Sequence, residues 1–249
     1  MNRLFSELRR LYFLPLQPWH GEGLPAAIDL IGADDRVRTL AIDFVKASDW
    51  EAAAALCQGV QEDLELPAPA VSVSGESGYR VWFSLAEPVP ADEARSFLEC
   101  LVRRYLADLP PGHGRLHPAA SSGPDRLGLA PALDPATGKW SAFIDPAMGS
   151  MFVHESGLEM APNPDRQADL LAQFESIEAA DFRRALGLLR PPAEPAGGGP
   201  NVAAPLGVGG GFTDPQDFLL AVMNDPAASA GDRIEAAKAL LPYFHKSRA

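Results

Sequence analysis

Cysteine is almost missing from this chain. Only Cys57 and Cys100 occur in 249 residues, each among apolar neighbours in a stretch of helical periodicity, so both are expected to be reduced core thiols and no disulfide or Cys-rich metal framework is available. Long hydrophobic runs are missing too. The longest, such as Ala52 to Leu56, are broken within a few residues by Gln, Asp or Glu, far short of the roughly 18 apolar residues a membrane span needs. Met1 to Leu16 carries Arg3, Arg9 and Arg10 among leucines and aromatics but no small-residue cleavage site after an apolar core, which is not the pattern of a secretory signal. A cytoplasmic protein with no membrane partner is the expectation. Basic charge is also short: 21 Lys and Arg face 33 Asp and Glu, a net charge of −12. Such a chain does not coat nucleic acid by bulk charge, so any contact with it has to be local. Neither a Walker phosphate loop nor a local Ser-His-Asp or Cys-His set occurs. What the chain does have is an apolar fraction of 47%, enough for a real core.

The apolar spacing of Leu4, Phe5, Leu8, Leu11 and Tyr12 predicts a short amphipathic helix. Arg38 to Val45 reads as a strand with one acidic residue in it, and Ser48 opens a helix that fades near Glu65, with Asp49 and Glu51 suited to its first turn. Ala70 to Ser74 and Tyr79 to Leu85 read as a hairpin around Gly75 and Gly78, which Pro88 and Pro90 stop. Ala91 to Leu109 puts Ala94, Phe97, Leu98, Leu101, Val102, Tyr105 and Leu106 on one helical face. Arg115 to Val153 reads as further strands, among them Leu127 to Leu129 and Trp140 to Ile144, and two helices follow, 164–174 and 177–189. The fold class is α+β: a βαββαβ core with flanking helices, spanning residues 1–190. Residues 191–211 hold glycine triplets, prolines and almost no charge, the composition of a flexible linker. Residues 212–249 read as a helical hairpin, with Thr213 or Asp214 as N-cap and Pro215 in the first turn.

Two segments carry the chemistry. One is Ala41-Ile42-Asp43-Phe44-Val45, the other Ser74-Gly75-Glu76-Ser77-Gly78-Tyr79-Arg80-Val81-Trp82-Phe83, and Asp125 to Leu133 with Gly138 to Asp145 comes later. In this order they resemble the catalytic core of the archaeo-eukaryotic primase superfamily, over about residues 39–145. There a strand carries two acidic residues spaced by one, and a hairpin strand carries a Ser-Gly-x-Gly-x-His-like motif. The resemblance implies a site for two-metal phosphoryl transfer. Asp43, Arg80 and Asp125 would stand at its catalytic positions, Asp43 would hold Mg2+ or Mn2+, and Ser74, Gly75, Gly78, Arg80 and Trp82 would contact nucleotide or nucleic acid. The sequence departs from the pattern twice: Val45 stands where the second carboxylate belongs and Arg80 where the His belongs. Loss of a bridging ligand weakens a two-ion site, whereas Arg80 still offers a charged phosphate donor. The implied function is DNA or nucleotide binding with weakened or absent synthesis.

Plainer readings account for the same residues. Asp43 can cap a neighbouring element, Arg80 can be a solvated cross-strand partner, and a hairpin turn by itself explains Gly75 and Gly78. Trp82 beside Phe83 puts one ring toward the core and one outward, where an exposed Trp could stack a base. His113 and His117, in Gly112-His113-Gly114-Arg115-Leu116-His117, have metal-ligand spacing only on a helix, which the flanking glycines disfavour. Residues 214–226 and 233–246 resemble a segment of phage small terminase subunits. That resemblance implies a phage or plasmid protein and an alternative role in DNA packaging or assembly, with a protein partner or self-association through residues 212–249. Limited proteolysis is expected to cut first within 191–211 and release two fragments; protection there, at protease levels that nick other loops, would contradict the two-part organisation.

Overall fold

The first helix forms as its spacing dictates: α1 (Arg3–Tyr12) buries Leu4, Phe5, Leu8, Leu11 and Tyr12 on one face. The computed structural model describes residues 3–15, 23–119, 125–155, 157–190, 215–224, 233 and 236–240. After α1 come β1 (Ala27–Asp29), β2 (Arg36–Phe44), α2 (Trp50–Glu62), β3 (Ala70–Val73), β4 (Tyr79–Pro90), α3 (Ala91–Tyr105), β5 (Gly114–His117), β6 (Arg126–Gly128) and β7 (Ala142–Ile144), and then α4 (Pro164–Leu171), α5 (Ala179–Leu189) and α6 (Pro215–Asn224). The chain divides into two compact units, Met1–Pro191 and Pro192–Ala249.

In the first unit β5-β2-β4-β3-β7 form a five-stranded sheet and β1-β6 a small two-stranded one. The run β2-α2-β3-β4-α3-β5 is the expected βαββαβ core, antiparallel at every pairing, with β7 added beside β3. Strand alternation sends Leu40, Ile42 and Phe44 of β2 and Val81, Phe83 and Leu85 of β4 to one face, where α2, α3 and α5 cover them. The other face carries Ala41, Trp82, Ala70 and Phe143, covered by α1 and α4.

Polar side chains on this second face close the backbone accounts of the elements above it. Thr39 Oγ1 donates to the Tyr12 carbonyl (2.8 Å), Ser84 Oγ to that of Leu11 (2.6 Å), and Arg38 to those of Arg10 and Phe13. These are carbonyls that the last turn of α1 leaves without intrahelical donors. At the sheet edge Gln167 of α4 imitates a further strand: its Oε1 accepts from the Phe143 N–H (2.8 Å) and its Nε2 donates to the Phe143 carbonyl (2.9 Å).

Three features differ from the sequence reading, one of them a 3-10 helix at Pro146–Phe152 inside the stretch expected to hold only strands. β4 does not stop at Pro88 but runs through Pro90, pairing Val89 with Val37 and Pro90 with Arg36 beyond a bulge between Val37 and Thr39. Proline is tolerated there because β3 pairs only with Tyr79 to Trp82, so one side of the strand asks for no N–H donors. β1 was not expected, being only three residues long; it pairs with β6, which overlaps the strand expected at Leu127 to Leu129. In the second unit α6 and the helical residues 236–240 bury Val222, Ala236 and Leu240, and Arg233 Nε donates to the Met223 carbonyl (3.0 Å). The linker at 191–211 and the N-cap at Thr213 or Asp214 lie outside the described residues. Gln167→Leu, which leaves both polar groups of Phe143 buried and unpaired, is expected to lower stability by about 2 to 4 kcal/mol in urea titrations, against near-neutrality if the amide were a solvated contact.

Candidate functional site

Register builds the site. Asp43, at the end of β2, stands opposite Arg80 on β4 and Arg115 on β5, and Arg80 stands opposite Ser72 on β3. One row across the sheet thus reads Arg115, Asp43, Arg80, Ser72, and the next reads His117, Ala41, Trp82, Ala70. Gly78 makes the approach of β4 to β2 possible, since a Cβ there would lie 1.8 Å from the Phe44 carbonyl oxygen.

The guanidinium of Arg80 grips Asp43 with two prongs, Nε to Oδ1 and Nη2 to Oδ2 (2.9 Å), while Nη1 donates to the Gly128 carbonyl (2.7 Å). Its carbon lies 5.1 Å from the ring centre of Trp82, a cation–π contact. On the other side His117 Nε2 is 3.2 Å from Asp43 Oδ2 and has to donate, because a carboxylate oxygen only accepts. His117 Nδ1 lies 3.6 Å from Asp125 Oδ1 without a hydrogen bond, and Asp125 Oδ2 accepts from the Ala119 N–H (2.6 Å). Of the three residues expected at catalytic positions, Asp43 and Arg80 pair directly, whereas Asp125 lies on the far side of His117 and makes no hydrogen bond to it.

A cavity of about 250 Å³ opens beside this row, and Asp43, Val45, Ser74, Gly78, Arg80 and Arg115 are part of its wall. Ser74 Oγ accepts from the N–H groups of Glu76, Ser77 and Gly78 (3.0 to 3.1 Å), which fixes the loop but uses its donors internally. Gly75 is not in the wall. Its φ of +78° and the 2.9 Å from an added Cβ to the Ser141 N–H nitrogen make it a turn and packing glycine. Asp125 does not line the cavity either. Trp82 lines the cavity but is 1% exposed. Tyr12 and Phe143 cover it at 5.0 and 5.6 Å and Ser72 accepts its N–H at 2.9 Å, so it supports Arg80 and offers no face on which a base could stack.

The metal expectation meets a donor set that does not fit it. Both oxygens of Asp43 already accept from Arg80, Oδ2 also from His117, and Val45 brings no oxygen. Among the described residues no group of three or more His, Cys, Asp or Glu side chains is placed to hold a metal ion. A hard divalent cation needs several oxygens at once, and here the Arg80 guanidinium engages both oxygens of Asp43. Sequence reasoning missed His117, Arg115 and the Gly128 carbonyl. The signal available for the first two was the strand period of two, which puts Arg115 and His117 on one face where the helical period had been asked for.

Burial alone would raise the carboxyl of Asp43; hydrogen bonds from Arg80 and His117, and their charges, outweigh it and hold it at about 2 instead of 3.8. A depressed carboxyl contributes stability above its unfolded value that is lost as pH falls through the folded one. Stability is thus expected to drop by about 2 kcal/mol between pH 4 and pH 2 on account of this group. Asp43→Asn should flatten that part of the pH profile of melting, and an unchanged profile would contradict the pairing.

Residues 24–118 match the family model described as TOTE conflict system, Archaeo-Eukaryotic Primase domain. None of the curated proteins matches the chain. The matched range takes in β2 with Asp43, the Ser74 loop, Arg80 and the strand that carries Arg115 and His117, and leaves Asp125, the later segment and the second unit outside. Sequence match and sheet order agree on this segment: the α+β unit of the chain carries an archaeo-eukaryotic primase-like core.

Proposed function

We propose that the primase-like domain binds the phosphate end of a nucleotide or of a nucleic-acid strand, and that template-directed synthesis by it is weak or absent. The observation that carries this reading is the cavity wall beside Asp43, where two guanidinium side chains, Arg80 and Arg115, stand in one row with a single carboxylate that, of the two, only Arg80 engages. Guanidinium donors are suited to phosphate, and the row holds one more positive than negative charge, although Glu76 and Asp134 leave the cavity wall as a whole with three carboxylates against two guanidiniums. Synthesis is the weaker expectation because Val45 supplies no second carboxylate and Asp43 is committed to Arg80. The family description names TOTE conflict systems as the setting of such domains, and we propose the same setting for this chain.

The test pairs binding with extension. A labelled nucleoside triphosphate and a short single strand are titrated at two salt concentrations, and primer extension is run with Mg2+ and with Mn2+. Salt-sensitive binding with background extension is expected. Arg80→Ala should weaken binding by about 1 to 3 kcal/mol. It should also lower stability by about 2 kcal/mol, since it strands a largely buried carboxylate. Absence of binding at low salt would remove the reading, and robust template-dependent extension would remove its second half.

A further inference from the structure

The row that joins Arg115, Asp43 and Arg80 has an uneven balance of partners. Arg80 has five N–H groups, and three are in use, two on Asp43 and one on the Gly128 carbonyl. Arg115 is exposed and lines the cavity, and its side chain makes no hydrogen bond or ion pair among the described residues. A divalent cation at Asp43 would have to displace Arg80. That side chain is not free to swing away, being held at once by the Gly128 carbonyl and against the Trp82 ring. Displacement would also leave a buried-edge guanidinium beside the metal ion, two cations competing for one carboxylate, in a place where charge is poorly screened.

We propose that this cavity takes the phosphate groups of a nucleotide without a divalent cation: Arg80, anchored by Asp43, stands where a metal ion would, and Arg115 is the unpaired cation that meets the anion. The inference rests on the nucleotide-binding reading and goes beyond it by making Asp43 a counter-ion that positions Arg80 instead of a metal ligand. Glu76 and Asp134 also reach the cavity wall. They repel a bare anion, so affinity is modest and falls as salt screens the attraction of Arg115.

The deciding experiment titrates the full chain with a fluorescent nucleoside triphosphate in EDTA and again in Mg2+ or Mn2+ at matched ionic strength. Affinity in EDTA is expected to equal that in the metal buffers within about threefold, or to exceed it, as for charge-assisted hydrogen bonding with no metal bridge. Asp43→Asn, which keeps the size of the side chain and removes the charge that anchors Arg80, should weaken binding to the same extent in EDTA and in the metal buffers, whereas loss of a metal ligand would weaken it only with the metal. Arg115→Ala should lose about tenfold, the effect of one charge-assisted contact. Thermal melting checks that each variant is folded. If Asp43→Asn does not fold, the buffer comparison on the unaltered chain and the exposed Arg115 variant still decide. Binding that appears only with the metal, and that Asp43→Asn abolishes, would overturn the inference and leave the nucleotide reading standing. Absence of binding in every buffer would remove both. Unchanged affinity of Arg115→Ala would overturn the assignment of the anion to that residue. A short single strand competed in parallel tells a free nucleotide from a strand as the source of the phosphate, and competition by either supports the inference.

Discussion

The antiparallel register of β2 against β4 is the constraint from which both the core and the site follow. Leu40, Ile42 and Phe44 reach the helical face only in that register, and in the same register Thr39, Ala41 and Asp43 meet Ser84, Trp82 and Arg80 on the other. A slip of one residue would exchange the two sets, burying Asp43 and Arg80 among the helices and turning the aliphatic row outward. Two devices oppose the slip. The bulge between Val37 and Thr39 pins one end. At the other, Gly78 sits where any side chain would run into the Phe44 carbonyl. The ion pair of Asp43 with Arg80 is therefore less a cause of the fold than a consequence of where the apolar rows have to go.

Along the second face of the sheet the same two strands change their work residue by residue. At the α1 end, Thr39 and Ser84 are almost fully buried and serve as donors to helix carbonyls. In the middle Trp82 is enclosed by Tyr12 and Phe143. At the far end, where neither α1 nor α4 reaches, Asp43 and Arg80 keep about a fifth of their side-chain surface. The buried indole is the hinge of this gradient. It gives the guanidinium an apolar platform, so Arg80 is held in plane by packing below and by hydrogen bonds on two edges, the kind of support that keeps a binding group in one geometry.

Much of this was legible in the sequence because it is local. The strand with Asp43, the turn at Ser74 to Gly78 and the helices with a clear apolar stripe follow from periods of two and 3.6 and from turn residues, and the order of these elements fixes the βαββαβ core. What was not legible depends on pairings distant in the chain. Trp82 looked able to face solvent because nothing in its own strand announces that α1 and β7 will cover it. His117 and the Gly128 carbonyl enter the site from segments 74 and 85 residues beyond Asp43. The spacing of His113 and His117 suits a metal only on a helix, and the strand that forms there instead puts His117 on the same face as Arg115. The continuation of β4 through Pro88 and Pro90 escaped for a similar reason: whether a proline is tolerated depends on which side of the strand lacks a neighbour.

The two departures from the primase pattern become one change when their charges are counted together. A pair of carboxylates two residues apart on a strand carries two negative charges on one face, more than one guanidinium can balance, and divalent cations are the natural partners of such a site. With Val45 in the second position, a single negative charge remains at Asp43, and the bidentate Arg80 matches it in both charge and geometry. Had Val45 arrived beside a neutral His at position 80, Asp43 would have lost its strongest donor, and His117 alone would have had to offset its burial. The two departures are thus compatible in charge: one carboxylate, Asp43, faces one bidentate guanidinium, Arg80, and the exposed Arg115 of the same row is the cation we propose to meet an anion.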